Sequence, residues 1–249
     1  MGIIYYDDDY QTTALFGFKN FRKSEIISYR QLHNIKIKKT GTTIAGLVFK
    51  KGLILGADTR ATNDKVSCDT NCQKIHYLAP NICCMGAGTS ADAENISKLL
   101  FYQLELQRLS TGRESKVLTS LSICKNFLYK HTGNISAALI LGGFDIFGPQ
   151  LYSVHPHGST ESLPFVSMGS GSLSAISILE NSYNCHLDLN SALILVKEAI
   201  LAGIFNDIGS GNNLDICVIL SNALIFNRNS WSSSNFFPNE TGIMENFEY

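Results

Sequence analysis

The chain has 249 residues, 45% of them hydrophobic and 16% charged, with a net charge of −1. So balanced a surface offers no field to gather nucleic acid or an anionic membrane, and the length suits one ordinary domain with a large core. No run reaches the ~18 apolar residues of a membrane span. The start, Met1-Gly2-Ile3-Ile4-Tyr5-Tyr6, lacks the basic and apolar stretches of a secretory signal.

Residues 1–41 carry an acidic cluster (Asp7-Asp8-Asp9), a basic approach (Lys36, Lys38, Lys39) and aromatics without period, and read as an extended leader. From Thr42 the pattern turns to strands. Thr43 to Phe49 and Leu53 to Ala57 are apolar runs around a Lys50-Lys51-Gly52 turn, a hairpin signal. Thr89-Ser90-Ala91-Asp92 matches a capping box ahead of a helix through Leu100. Val117, Leu121, Cys124 and Leu128 mark a second helical stripe. Further strands are predicted at 80–86, 136–143, 149–154, 164–168 and 214–220, and helices at 171–181 and 189–206. Several strands are apolar almost throughout, so both faces of their sheets are expected to be covered. Strands, two helices, strands, two helices, strands is an α/β (more narrowly α+β) order, with helices outside a two-sheet core. Residues 228–249 read as a polar tail.

Cutting after Gly41 in Lys39-Thr40-Gly41-Thr42-Thr43 would put a hydroxyl and a free amine on one residue, Thr42. Such a residue can be nucleophile and base at once. A terminal amine has a pKa of about 7.7–8.0, close to what a base needs at neutral pH. While Gly41 is attached, that nitrogen is an amide, so the leader would hold the site inactive. A residue without Cβ at 41 also lets the backbone bend toward the hydroxyl. Asp58 closes the second strand and Lys74 follows. A cation beside Thr42 would favour its deprotonated hydroxyl, and a carboxylate would keep the lysine charged and aimed.

Other motifs are weaker. Gly86-Ala87-Gly88-Thr89-Ser90-Ala91 fits a dinucleotide fingerprint, read as a loop between strand and helix, but Glu105 falls inside a helix rather than at a strand end. The same loop could instead aim a backbone N–H at an oxyanion. Gly169-Ser170-Gly171-Ser172 and Asn206-Asp207-Ile208-Gly209-Ser210-Gly211 are polar loops. Seven cysteines, an odd number without a signal, point to a reducing compartment. Cys68 and Cys72 with Cys83-Cys84 lack the Cys/His partner that a zinc site needs, and the histidines show no metal spacing.

Taken together, Thr42-Thr43-Ile44-Ala45-Gly46, Gly56-Ala57-Asp58-Thr59-Arg60, Asn71-Cys72-Gln73-Lys74-Ile75-His76, Gly86-Ala87-Gly88-Thr89, Met168-Gly169-Ser170-Gly171 and Phe205-Asn206-Asp207-Ile208-Gly209-Ser210-Gly211 resemble a catalytic β subunit of the eukaryotic proteasome, most of all its trypsin-like class. The resemblance runs from about Gly41 to Asn227. It implies the four-layer αββα sandwich of N-terminal-nucleophile hydrolases. It implies a propeptide at 1–41 released by self-cleavage between Gly41 and Thr42, a catalytic domain at 42–227 and a tail at 228–249, shorter than the class's usual C-terminal arm. Thr42 matches the nucleophile, Asp58 and Lys74 the acid and lysine, Gly88 the oxyanion glycine, and Ser170, Asp207 and Ser210 the network around the amine. For substrate binding, Gly86 would leave room for a long side chain and Glu94 would meet its charge, with Thr62 and Asp69 near the rim. Implied too are no cofactor, partner α and β subunits in stacked heptameric rings, and a cytoplasmic and nuclear location. An unprocessed structural subunit, a dinucleotide-binding protein and a small-molecule amidase of the same superfamily are the competing readings.

Overall fold

The computed structural model describes residues 40–63, 66–131, 135–221 and 223–232. The leader up to Lys39 and the tail from residue 233 lie outside the described residues.

Two five-stranded antiparallel sheets are stacked face to face. The first has the order β10-β1-β2-β11-β12: β1 Thr43–Phe49, β2 Gly52–Asp58, β10 Phe165–Gly169, β11 Asn213–Leu220 and β12 Leu224–Ser232. The second runs β5-β6-β7-β8-β9: β5 Ile75–Ala79, β6 Ile82–Gly88, β7 Ala137–Asp145, β8 Gly148–Val154 and β9 Thr160–Ser162. A small hairpin, β3 Ala61–Asn63 with β4 Val66–Asp69, stands apart. Helices α1 Ser90–Thr111 and α2 Val117–Lys130 cover the second sheet; α3 Ser172–Ser182 and α4 Leu189–Asn206 cover the first.

Side-chain alternation builds this sandwich. In β2, Leu53, Leu55 and Ala57 enter the core between the sheets, while Ile54 turns outward beneath α4. In β6, Cys83, Met85 and Ala87 face the same inner core, while Ile82 and Cys84 pack under α1 and α2. β2 and β6 thus meet apolar neighbours on both sides, and β2 is buried along its whole length. By length and composition α4 could cross a membrane, although Lys197 and Glu198 interrupt its apolar run. Its Ala192, Leu195, Val196, Ala199 and Ile200 are instead packed on the first sheet.

The layered αββα arrangement agrees with the sequence expectation, with three local corrections. Gly86 and Gly88 lie inside β6 rather than in a loop, and β6 pairs antiparallel with both neighbours, so no parallel βαβ nucleotide cradle forms there. The capping box does not close. Thr89 is the N-cap of α1 but its hydroxyl makes no cap bond, while Asp92 Oδ2 accepts the Ser136 N–H at 3.1 Å and ties the helix to the start of β7. Finally, β12 runs past Asn227 to Ser232, so residues 228–232 belong to the sheet rather than to the tail.

Candidate active site

Strand register brings the site together at one end of the first sheet. β1 and β2 form the expected hairpin, Ile44 opposite Ala57, so Asp58 arrives beside the head of β1. On the other flank of β1, Thr43 pairs with Gly169, which delivers Ser170. β11 pairs Leu214 with Asp58, placing the Asp207–Asn212 loop above the same point. Lys74 reaches across from the edge of the second sheet, just before β5.

Thr42 is 1% exposed, Asp58 is fully buried and Lys74 is 5% exposed. Lys74 Nζ donates to Thr42 Oγ1 at 3.0 Å, to Gly41 O at 3.1 Å and to Asp58 Oδ1 at 2.8 Å. Thr42 Oγ1 itself donates to Gly41 O at 2.7 Å. The carbonyl of the Gly41–Thr42 peptide therefore receives two hydrogen bonds, one charge-assisted, which polarise it toward attack. Buried carboxylates are tolerated when fully bonded. Asp58 meets that condition: its Oδ1 also accepts the Thr43 N–H, and its Oδ2 accepts the N–H groups of Arg60 and Gly211.

On the other side of Thr42, its N–H donates to Ser170 Oγ at 3.1 Å, and Ser170 Oγ donates to Asp207 Oδ2 at 2.5 Å. Ser210 Oγ donates to the same Asp207 oxygen at 2.7 Å and accepts from Thr43 Oγ1 at 2.8 Å. Partial burial raises the Asp207 carboxyl, but the Ser170 and Ser210 hydroxyls and the Gly209 N–H outweigh it, and the group sits below its ordinary range. Asp207 thus stays an acceptor and holds Ser170 in place. The Thr42 nitrogen thus stands at the head of a Ser170–Asp207 chain.

Thr40 and Gly41 run between the end of β6 and the small hairpin. Thr40 forms an antiparallel bridge with Gly88, its N–H and Oγ1 both donating to Gly88 O at 3.1 Å. The Gly41 N–H donates to Thr62 Oγ1 at 2.9 Å. Gly88 has a φ of +109°, and a Cβ there would fall 2.4 Å from Ser136 O, so only glycine fits. Gly88 and Gly86 line a narrow cleft with Thr40, Thr42, Lys74 and His76. The space beside Gly86 is not left for a ligand: a Cβ there would stand 2.5 Å from Ala93 Cβ, so the glycine lets α1 approach β6. Glu94 lines an adjoining depression and is paired with Lys98 at 2.6 Å. Asp69 is exposed in β4, accepts the Asn71 N–H, and lines neither space.

Sequence reasoning missed three supports. Thr43 wedges between Gly171 and Gly203, where a Cβ on either would meet its side chain within 2.4 Å. Arg60 braces the upper loop, its Nε donating to Asn212 Oδ1 at 2.7 Å and its Nη1 to Ile208 O at 3.0 Å. Asp215, buried behind Asp58, accepts from Arg228 Nε at 3.3 Å. A second threonine after a candidate nucleophile was the available signal for the first; no local pattern announced the other two. Among the described residues no cluster of His, Cys, Asp and Glu could hold a metal. Cys83 and Cys84 point into different cores.

An αββα sandwich that gathers threonine, lysine and aspartate at the head of its first strand has the architecture of an N-terminal-nucleophile hydrolase. The proteasome subunit family matches residues 38–219, and the chain belongs to that family, in its β-type branch. It is 52% identical over 204 residues to proteasome subunit beta type-7-B of Arabidopsis thaliana, covering 82% of this chain and 74% of that protein. To proteasome subunit beta type-7 of Dictyostelium discoideum it is 47% identical over 231 residues, 93% of this chain and 85% of that protein. To proteasome subunit beta type-10 of Mus musculus it is 47% identical over 212 residues, 84% and 77% of the two chains. The family is one of threonine peptidases whose members assemble with other proteasome subunits into the core particle.

Proposed function

We propose that this chain is the precursor of an active threonine endopeptidase subunit, matured by its own cleavage of the Gly41–Thr42 bond and cutting unfolded polypeptides after basic residues. The observation that carries the reading is the short contact from Thr42 Oγ1 to Gly41 O, with Lys74 Nζ bonded to both and Asp58 behind it.

In maturation, Thr42 Oγ attacks the Gly41 carbonyl carbon. The Gly41–Thr42 C–N bond breaks, the acyl group becomes an ester on Oγ, and the nitrogen leaves with a proton as an amine. Water then hydrolyses the ester, releasing residues 1–41 with a new carboxylate at Gly41. In turnover the same hydroxyl attacks a substrate carbonyl, the Thr42 amine takes up the proton and returns it to the leaving amine, and water releases the acyl group. Lys74 supports the alkoxide, Asp58 fixes Lys74, and Ser170, Asp207 and Ser210 orient the amine. The Gly88 backbone faces the oxyanion. No cofactor enters these steps.

The basic preference rests on Glu94 at the far end of the space beyond Thr42, with Gly86 on the wall between; Thr62 holds the backbone before the cut. Ring assembly with α and β subunits in stacked heptamers, in cytoplasm and nucleus, completes the reading. N-terminal sequencing of the subunit from the assembled particle tests it: a start at Thr42 is expected, and a retained leader would overturn it.

A further inference from the structure

The narrow cleft holding Thr42 and the depression holding Glu94 share four lining residues: Cys72, Gln73, His76 and Ser90. The two spaces therefore adjoin, and the second extends about two helical turns along α1 from Ser90. The far space, about 360 Å³, has one carboxylate on its wall, Glu94, and one permanent cation, Lys98. These two are four residues apart on α1, a spacing that makes them neighbours on one helix face, with the acid on the favoured N-terminal side. Lys98 Nζ lies 2.6 Å from Glu94 Oε1.

We propose that Lys98 is a specificity-determining residue, a tethered cation that competes with a substrate's lysine or arginine for Glu94 and flattens the site's preference for basic residues. This rests on the reading of Glu94 as the group that meets a basic side chain. The far space then carries a net charge near zero rather than −1, so an entering cation finds a carboxylate already partnered. Its hydrogen bond to Lys98 and that cation's field keep the Glu94 carboxyl below its usual range, and Lys98 is raised in turn, so the pair stays charged through neutral pH. His76 also faces Glu94, but burial holds it below its ordinary value, which leaves Lys98 as the standing competitor at neutral pH. Both side chains are more than half exposed, so the competition is soft: exposed pairs at this spacing correspond to a change of about twofold. An uncharged polar end group loses nothing to Lys98 and is accepted relatively better than Glu94 alone would allow.

The test uses assembled particles with the other active sites blocked, and two reporters that differ only in arginine or its uncharged isostere citrulline before the cut. Lys98→Gln is expected to raise the arginine-to-citrulline ratio of kcat/KM about twofold or more, through a lower KM for the arginine reporter with kcat unchanged. Lys98→Arg is expected to keep the wild-type ratio. Glu94→Gln is expected to bring the ratio to one or below while Lys98 remains, and to about one when Lys98→Gln is added. If Glu94→Gln lowers the ratio but Lys98→Gln leaves it unchanged, the proposal fails and the basic preference stands. If Glu94→Gln leaves the ratio unchanged, the reading of the pocket falls and the proposal with it.

Discussion

Gly41 and Gly209 meet backbone to backbone: a Cβ built on Gly41 would fall 2.3 Å from Gly209 Cα, and one built on Gly209 would fall 2.8 Å from Gly41 Cα. An L side chain at 41 would thus point at the Asp207–Asn212 loop and not toward Glu94. In the proposed maturation, the peptide to be cut would therefore sit against a different wall from the one that a substrate side chain would use.

Leader release is therefore expected to demand glycine at both positions. Gly41→Ala should leave the leader attached in the assembled particle, read by intact mass. Gly209→Ala should slow release as well, yet leave turnover nearly normal when Thr42 is freed from a fusion by another protease, because Gly41 is then gone. A Gly209→Ala precursor that matures at the wild-type rate would contradict the packing argument.

Lys74 Nζ donates at once to Thr42 Oγ1, the Gly41 carbonyl and Asp58. Lys74→Met leaves Asp58 buried without its cation, and loss of one partner of a buried pair costs about 3–5 kcal/mol. Expected outcomes are an uncut leader, turnover at background and a lowered melting temperature. Thr42→Ala should also keep the leader but melt close to wild type, since it removes no charge. Comparing the two melting curves separates the chemical from the electrostatic role.

The pH response should report His76. Burial holds its imidazole below the ordinary 6.5, more than Glu94 raises it, so the neutral form is the one the fold favours. Stability from this group is full above 6.5 and falls as pH drops from there through the lower folded value. Once charged, His76 stands beside Glu94 as a second cation. KM for a basic reporter should therefore rise on acidification, with its midpoint below 6.5, and His76→Gln should abolish that limb. A limb that persists in His76→Gln would assign it to another group.

Gly86→Ala tests whether that glycine serves packing. Its new methyl would overlap Ala93 Cβ, and overpacking of this kind costs about 1–3 kcal/mol. Adding Ala93→Gly should recover much of the loss, measured as denaturant midpoint. An unrecovered double variant would show that the cost lies elsewhere.

Much of this was legible along the chain. The Thr43–Phe49 and Leu53–Ala57 runs, the α2 stripe and the α4 boundaries each depend on a local period, and local periods survive into the fold. Lys74, Asp58 and Thr42 could be named because their residue types were already suited to the chemistry. Short edge strands were not legible: β3, β4 and β9 have three or four residues each, too few to establish an alternation. Nor was the Glu94–Lys98 pair, whose meaning depends on the cleft that its helix happens to border.

By itself, the order of residues determined a two-sheet core with helices outside it, because apolar runs and stripes fix which faces must be buried. It also determined the glycine–threonine junction, because only those side chains put a hydroxyl beside a bendable backbone. The tertiary structure alone decided who touches whom: that Gly41 leans on Gly209, that Gly86 yields its space to Ala93, and that Arg60 braces the Asp207–Asn212 loop. Such contacts join positions scores of residues apart, and no local pattern encodes a distance that arises only when sheets and helices close on one another.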